Sequence, residues 1–195
     1  MLVAPRIMTQ RTVLTLLQHY EYQLLIDYYE RNHLHLSPWE PEREQGYFEQ
    51  AQVRERVQCS NALFFAGGAV HFVARGSINH DGSVTADHNG RILGVCNFTN
   101  IVRGPFQACY LGYSVDKSLE GQGVMREILE AGINYIFKEL KLHRIMANYI
   151  PDNTRSGHLL SSLGFEKEGV AKAYLKINGR WQDHLLTSKL NPNEK

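Results

Sequence analysis

Near the middle of the chain the sequence reads Leu111-Gly112-Tyr113-Ser114-Val115-Asp116-Lys117-Ser118-Leu119-Glu120-Gly121-Gln122-Gly123-Val124-Met125. This stretch predicts a strand, a short loop with two glycines, and the first turn of a long helix. The helix is predicted because apolar residues recur every three or four positions, at Val124, Ile128, Ala131, Tyr135, Ile136 and Leu140. One face of this helix is therefore apolar, and the strand, loop and helix form the centre of the predicted fold.

The loop has the properties of a phosphate-binding turn. Gly121 and Gly123 leave no side chain between the first helical amides and an approaching ligand. Those amides have no partner within the helix, and the helix dipole makes that end positive, which suits a phosphate. Two glycines alone are equally compatible with a flexible connection. The dinucleotide pattern G-x-G-x-x-G fails at Arg126, and the pattern G-x-x-x-x-G-K-[ST] is absent, so ATP and GTP chemistry is disfavoured.

Length and composition narrow the class of protein. The chain has 195 residues, 43% of them hydrophobic, and nothing in it resembles a linker or repeat, so residues 1–195 are predicted to form one domain. A formal net charge of +1 argues against DNA or bulk nucleic-acid binding. The sequence shows neither a signal peptide nor a long apolar run, so we expect a cytoplasmic protein with no membrane span.

The metal-binding residue types show no ligand pattern. Cys59, Cys96 and Cys109 are widely spaced and form no C-x-x-C pair. The closest histidines, His33 and His35, have no complementary cluster at ligand spacing. Neither a disulfide framework nor a metal site is predicted.

The remaining elements alternate between helices and strands. The first half predicts a strand at 12–18, a helix at 19–32, an irregular Ser37-Pro38-Trp39-Glu40-Pro41 segment, a charged amphipathic helix at 42–58 and a strand at 69–75. The second half predicts a loop at 76–90, strands at 91–100, 107–115 and 144–150, a helix at 154–163 capped by Asn153, and a hairpin of 165–177 with 180–190 through Asn178-Gly179. This order predicts a mixed α+β fold with a largely antiparallel sheet.

The loop resembles the acetyl-coenzyme A (acetyl-CoA) loop of the GNAT acetyltransferases, whose pattern is (Gln/Arg)-x-x-Gly-x-(Gly/Ala). Here it reads Ser118-Leu119-Glu120-Gly121-Gln122-Gly123, with Ser118 in place of the opening Gln or Arg. Further segments are similar to GNAT members that acetylate the N-termini of ribosomal proteins: 37–41, 98–104, 109–113, 143–149 and 163–169. The resemblance covers nearly the whole chain. It implies a GNAT fold, with about seven strands flanked by helices.

The resemblance also implies direct transfer of an acetyl group from acetyl-CoA to an amine, with no metal and no covalent enzyme intermediate. The amides of the strand at 113–115 would hold the thioester carbonyl, where that strand splays from its neighbour at 145–149. The residues implied to bind the coenzyme are Tyr113, Ser114, Val115, Glu120, Gly121, Gln122, Gly123, Val124, Met125, Asn153 and Ser156.

Two catalytic residues follow from the resemblance. Many family members use a tyrosine as the acid that protonates the leaving thiolate, but Leu160 occupies that position. Ser156 is instead predicted to hold the coenzyme sulfur, although serine is also common in a first helical turn. The family's strand glutamate is missing as well, which leaves Glu40 or a chain of water molecules as the base; Glu40 could equally be a surface carboxylate at a helix start.

The acceptor is predicted to be a protein N-terminus. A terminal α-amine has a pKa near ~7.8 and lysine near ~10.4, so a site with a weak base favours the α-amine. Trp39 and Tyr110 are predicted to contact the acceptor, and Trp39 could equally anchor a buried loop. The resemblance implies acetylation of the N-terminal alanine of a small-subunit ribosomal protein, with ribosome association. The alternatives are acetylation of a small-molecule amine, or a non-catalytic module that binds ribosomes or RNA. The natural acceptor, the base and the oligomeric state stay open.

Overall fold

One mixed sheet organises the part of the chain that is described, residues 3–193 of a computed structural model. Within those residues the sheet has nine strands in the order β1-β2-β3-β5-β6-β7-β9-β8, with β4 paired to β3. Only β6 and β7 run parallel; every other pair is antiparallel. The strands are β1 Arg6–Met8, β2 Val13–Leu16, β3 Val70–Ile78, β4 Val84–Ala86, β5 Arg91–Val102, β6 Ala108–Val115, β7 Arg144–Met146, β8 Glu166–Ile177 and β9 Arg180–Leu190.

Helices cover both faces of the sheet: α1 Tyr22–Leu36, α2 Gln50–Phe65, α3 Val124–Lys138 and α4 Thr154–Ser162. On one face, Tyr28 of α1 and Val57 of α2 pack with Val73 of β3. On the other, Ile128 of α3 and Leu160 of α4 belong to the cluster that contains Phe72, the next residue along β3 from Val73. Because neighbouring strand residues point to opposite faces, this alternation assigns each helix pair to its side. The predicted α+β class with a mostly antiparallel sheet is confirmed.

The elements with strong local signals lie where the sequence predicts them. Helix α3 begins at Val124, and Asn153 caps α4 by accepting a hydrogen bond from the Ser156 amide. The final hairpin turns through Asn178 and Gly179, whose φ angles of 45° and 75° are those of a two-residue primed turn. No helix among residues 3–193 has the length and apolar character needed to cross a bilayer.

Several boundaries differ from prediction. The helix predicted at 19–32 runs from Tyr22 to Leu36. The helix predicted at 42–58 begins at Gln50 and continues to Phe65, because Gly46 takes a φ of 83° that no helix continues through. The loop predicted at 76–90 contains the end of β3 and the short strand β4, whose three residues are too few to show a period. The strand predicted at 144–150 ends at Met146, although Tyr149 still forms a bridge with Leu185.

Strand β7 ends early at a point that matters for the site. Residues 108–110 of β6 pair with residues 144–146 of β7, and beyond Tyr110 strand β6 is paired only with β5. After β7 the chain turns toward β9, where the Tyr149 and Leu185 backbones exchange hydrogen bonds of 3.2 and 2.8 Å. The predicted splay is confirmed, and it opens a gap through the sheet beside residues 111–115.

Candidate active site

A cavity of about 660 Å³ occupies this gap. Its wall includes most of the predicted site residues: Trp39, Glu40, Tyr113, Ser114, Val115, Glu120, Gly121, Gly123, Met125, Asn153 and Ser156. Three predicted residues are not on the wall. Val124 has a fully buried side chain, Tyr110 interacts with Tyr174, and the Gln122 side chain donates to the Ser118 carbonyl.

The cavity passes from one face of the sheet to the other. Tyr113 packs with the core on the α3–α4 side, whereas Ser114 shares a hydrogen bond of 2.9 Å with Tyr28 of α1 on the opposite side. The glycine loop and α4 line the first end, and Trp39 and Glu40 line the second. Two molecules that enter from opposite faces would therefore meet at the middle of β6.

At the first end, the loop between β6 and α3 presents bare main chain. Gly121 and Gly123 have φ angles of 71° and 75°, and a Cβ at Gly121 would have no atom within 4 Å. In the described structure, the first helical amides, those of residues 124–126, donate to no other group. These are the donors that a helix N-terminus offers to an anion, so the loop fits a diphosphate.

Glu120 would repel that diphosphate, but it is not a free charge. Its carboxylate forms an ion pair with the Arg155 guanidinium of α4, and it lies 3.4 Å from Nε2 of His35 on α1. The pair connects the glycine loop to α4 at the edge of the cavity. Its partner, Arg155, lies 35 residues further along the chain, so no local sequence pattern indicates it.

Arg11, which no motif identifies, holds the glycine loop against the first turn of α3. Its Nη1 donates to the Gln122 carbonyl at 2.9 Å, and its Nε donates to Oε2 of Glu127 in the first turn of α3 at 2.7 Å. Burial opposes ionisation of Glu127, but hydrogen bonds from Thr9 and Arg11 outweigh it, so the pKa of Glu127 is below its ordinary value. The turn between β1 and β2 therefore holds the loop and α3 in a fixed relation.

Where β6 leaves the sheet, Asp116 fixes the start of the loop. Its Oδ1 accepts hydrogen bonds from the Ser118 hydroxyl at 2.7 Å and the Ser118 amide at 3.1 Å. Burial raises the pKa of Asp116, but these hydrogen bonds and the Arg91 and Arg31 guanidinium groups lower it by more. The pKa of Asp116 is therefore below its ordinary value. Ser118, which replaces the family's opening Gln or Arg, thus stabilises the loop rather than facing the cavity.

At the middle of the cavity, Ser156 meets Tyr113. The two hydroxyl oxygens are 2.6 Å apart. Burial is the main reason that the pKa of Tyr113 rises to about 12, so the phenol keeps its proton at neutral pH. When Tyr113 donates to Ser156, the serine proton is free to point elsewhere. A serine so oriented can donate to a sulfur or oxygen atom in the cavity.

The β8–β9 hairpin contacts the segment that lines the second end. The Asn178 amide at the hairpin tip donates to the Glu40 carbonyl at 3.1 Å, which joins the hairpin to the 37–41 segment. The Glu40 carboxylate lies 3.0 Å from the Arg43 guanidinium. Burial, followed by the nearby Glu40 charge, raises the pKa of Tyr29 on the same wall. This end of the cavity, beside Trp39 and Glu40, is called the chamber below; the Glu40 carboxylate lies on its wall, where an approaching cation would meet it.

His184 of β9 also lines this cavity and is only 4% exposed. No motif or spacing singles it out, since it lies in a strand that is otherwise unremarkable in sequence. Its proximity to the chamber depends on two strand pairings. The sequence predicts that β9 pairs with β8, but it does not predict that β9 pairs with β7, whose splay sets where the chamber opens.

Comparisons with known proteins agree on a family. The model of the acetyltransferase (GNAT) domain matches residues 30–166. The ribosomal protein uS5-alanine N-acetyltransferase of Escherichia coli K12 is 43% identical over 188 residues, which cover 96% of this chain and 92% of that protein.

Solved structures agree over the same length. A ribosomal-protein-S5-alanine acetyltransferase from Vibrio fischeri superposes with a TM-score of 0.87 and 37% identity, covering 98% of this chain and 99% of that one. RimJ from Mycobacterium smegmatis, in complex with CoA-disulfide, superposes with a TM-score of 0.83 and 25% identity, covering 96% of this chain and 88% of that one.

Proposed function

The chain belongs to the GNAT acetyltransferase family and is an acyltransferase, and from this premise we propose that it acetylates the N-terminal alanine of ribosomal protein uS5 with acetyl-CoA. The observation that carries the proposal is the cavity that crosses the sheet, with a bare glycine loop at one end and Glu40 at the other. The relatives named for uS5 or S5 acetylation support the acceptor. The sheet extends on both sides of residues 30–166, which supports one acetyltransferase domain over residues 1–195.

The donor would lie in the end that the glycine loop lines. Amides from Gly121 to Arg126 would bind its diphosphate, and Asn153 and Ser156 would contact the pantetheine arm. The open β6 edge beside residues 113–115 would receive the thioester. An amide donor aimed at the developing oxyanion is worth about 3–4 kcal/mol of transition-state stabilisation. Ser156, oriented by Tyr113, would donate to the sulfur and stabilise the leaving thiolate.

The acceptor would enter from the α1–α2 side, past Trp39 and Glu40. The Glu40 carboxylate would attract the protonated N-terminus, and a base on the wall of the same chamber would accept its proton. Because an α-amine has a pKa near ~7.8 and lysine near ~10.4, this chamber would deprotonate a chain terminus at lower cost than a lysine.

The test measures free thiol after the protein is mixed with acetyl-CoA and a peptide that carries the uS5 N-terminal sequence. Thiol release is expected with the free peptide and not with the same peptide whose N-terminus is already acetylated. A peptide that contains an internal lysine but a blocked terminus distinguishes α-amine from side-chain transfer, and spermidine tests a small amine. Release with spermidine but with no peptide that begins with Ala or Ser would overturn the proposed acceptor.

A further inference from the structure

Building on the proposed acetyl transfer, we infer that His184 is the residue that removes the proton from the acceptor amine, through Nε2 of its imidazole. The sequence gives no reason to select this histidine. The structure places it on the wall of the cavity, with its side chain almost wholly removed from bulk water.

The position of His184 within β9 puts it on the acceptor side of the sheet. The next residue, Leu185, packs against the core cluster on the α3–α4 side. Since neighbouring strand residues face opposite ways, His184 faces the α1–α2 side, where Glu40 lines the same cavity. Asn178, at the tip of the hairpin that carries His184, is bonded to the Glu40 backbone. The imidazole therefore lies in the chamber that an amine would enter.

The hydrogen bond at the other ring nitrogen sets the tautomer. Nδ1 of His184 lies 3.0 Å from the Gln182 carbonyl oxygen, which can only accept a hydrogen bond. Nδ1 therefore carries the proton, and in the neutral ring Nε2 has a free lone pair. The centroid of the Tyr174 ring lies 5.5 Å from that of the imidazole, with the two rings tilted. This arrangement, with one nitrogen bonded to a fixed acceptor, is that of an oriented general base.

The ionisable groups around the chamber give Glu40 a different role. Tyr174 comes from β8, Tyr29 from α1, and Glu40 and Arg43 from the segment after α1. Glu40 already pairs with Arg43 at 3.0 Å, so its charge is partly compensated. Glu40 attracts the ammonium ion into the chamber, and His184 takes the proton from it.

The transfer removes two protons from the nitrogen and adds one to the sulfur. The ammonium gives one proton to Nε2, which passes it to water. The neutral nitrogen attacks the thioester carbon, so the C–N bond forms and the C–S bond breaks with its electron pair on sulfur. The second proton on nitrogen leaves through Nε2, and the thiolate, held by the Ser156 hydroxyl, is protonated from water. The net products are the acetylated amine, the free thiol and one proton.

The experiment uses His184→Asn in the full chain. Asparagine keeps an N–H donor near the Gln182 carbonyl but has no group that can accept the proton. With the uS5 peptide, kcat at pH 7 should fall about 100-fold or more, while the calorimetric affinity for coenzyme A stays the same. At pH 9 the α-amine is already neutral, so the deficit should narrow by up to about sevenfold, which is the rise in the neutral fraction of an amine with a pKa near ~7.8. His88→Asn, at an exposed histidine in the turn between β4 and β5, should match the wild type at both pH values.

Two results would overturn the inference. One is an activity of His184→Asn within threefold of the wild type at pH 7; the other is a deficit of equal size at pH 7 and pH 9, as a packing defect would give. If His184→Asn does not fold, His184→Gln is read by the same criteria. Glu40→Gln should raise the KM for the peptide at pH 7 and leave kcat nearly unchanged, in contrast to His184→Asn. A wild-type protein that acetylates no peptide would instead refute the proposed function.

Discussion

At the scale of single residues, Gly112 leaves open space on the acceptor side of the cavity. It lies on β6 with Ser114 on the α1–α2 side, lines the cavity, and would have no atom within 4 Å of an added Cβ. Gly112→Leu should therefore fold normally and obstruct only the acceptor. We expect the KM for the peptide to rise at least tenfold with the affinity for coenzyme A unchanged, as measured by steady-state kinetics and calorimetry. Gly169→Leu, at an equally open glycine in β8, is the control. Loss of coenzyme affinity in Gly112→Leu would place the acceptor elsewhere.

The hydroxyl of Tyr113 is the second test at this scale. Tyr113→Phe removes only the atom that lies 2.6 Å from the Ser156 hydroxyl. One hydrogen bond that orients a donor is worth about 1 kcal/mol, so kcat should fall roughly fivefold while the KM for acetyl-CoA changes little. Tyr135→Phe, on α3 and packed against Phe72, controls for the loss of a phenol oxygen. An unchanged kcat would mean that Ser156 needs no orienting partner.

At the scale of elements, the Glu120–Arg155 ion pair links the glycine loop to α4 beside the proposed diphosphate site. Glu120→Gln removes a negative charge and frees Arg155, so coenzyme A should bind about two- to fivefold more tightly. Arg155→Met leaves Glu120 uncompensated and should weaken binding by a similar factor, since both groups are partly exposed. Titration calorimetry at low and high salt measures the affinity of both variants for coenzyme A. The difference of each variant from the wild type should be smaller at high salt. Shifts in the same direction for the two variants would contradict this account.

The sequence predicts elements better than it predicts their partners. Helix α3, the capped helix α4 and the final hairpin have local causes: apolar period, Asn153 and Asn178-Gly179. The contacts that build the site are not local. Arg11 meets the Gln122 carbonyl across 111 positions, and nothing around either residue indicates the other. The predicted start of α2 is wrong. The apolar periodicity extends through Gly46, but the backbone of Gly46 is not helical, so the helix begins only after it.

Separation along the chain also explains which residues of the candidate site could be predicted. The glycine loop is found from its own sequence, because its function rests on main-chain amides and open space at Gly121. Ser156 and Glu40 come from family resemblance, and the structure adds the Tyr113 and Arg43 partners that a motif does not contain. His184 required the splay of β7 and the pairing of β9 before it could be connected with the chamber.

At the scale of the whole molecule, acid should lower the stability of the fold and the affinity for the coenzyme together. The Glu127 carboxylate joins the β1–β2 turn to the first turn of α3 through hydrogen bonds from Thr9 and Arg11. Its folded pKa is below the ordinary value of 4.5, so its contribution to stability is complete above that pH. The contribution is lost as pH falls through the folded pKa. Coenzyme affinity should fall over the same range, because this contact positions the glycine loop.

Glu127→Gln isolates that contribution. At pH 7 the variant should be less stable by roughly 1–3 kcal/mol, because a charged acceptor with several donors is lost. Between pH 7 and pH 3.5 its urea midpoint should fall less than that of the wild type, because the variant has no carboxylate at this position to protonate. Glu130 lies one turn further along α3, half-exposed in a surface ion pair with Arg126. The urea midpoint of Glu130→Gln should fall with acid as that of the wild type does. If Glu127→Gln loses stability with acid as steeply as the wild type, the acid response originates elsewhere, with Asp116 as the next carboxylate to test, since its pKa is also depressed.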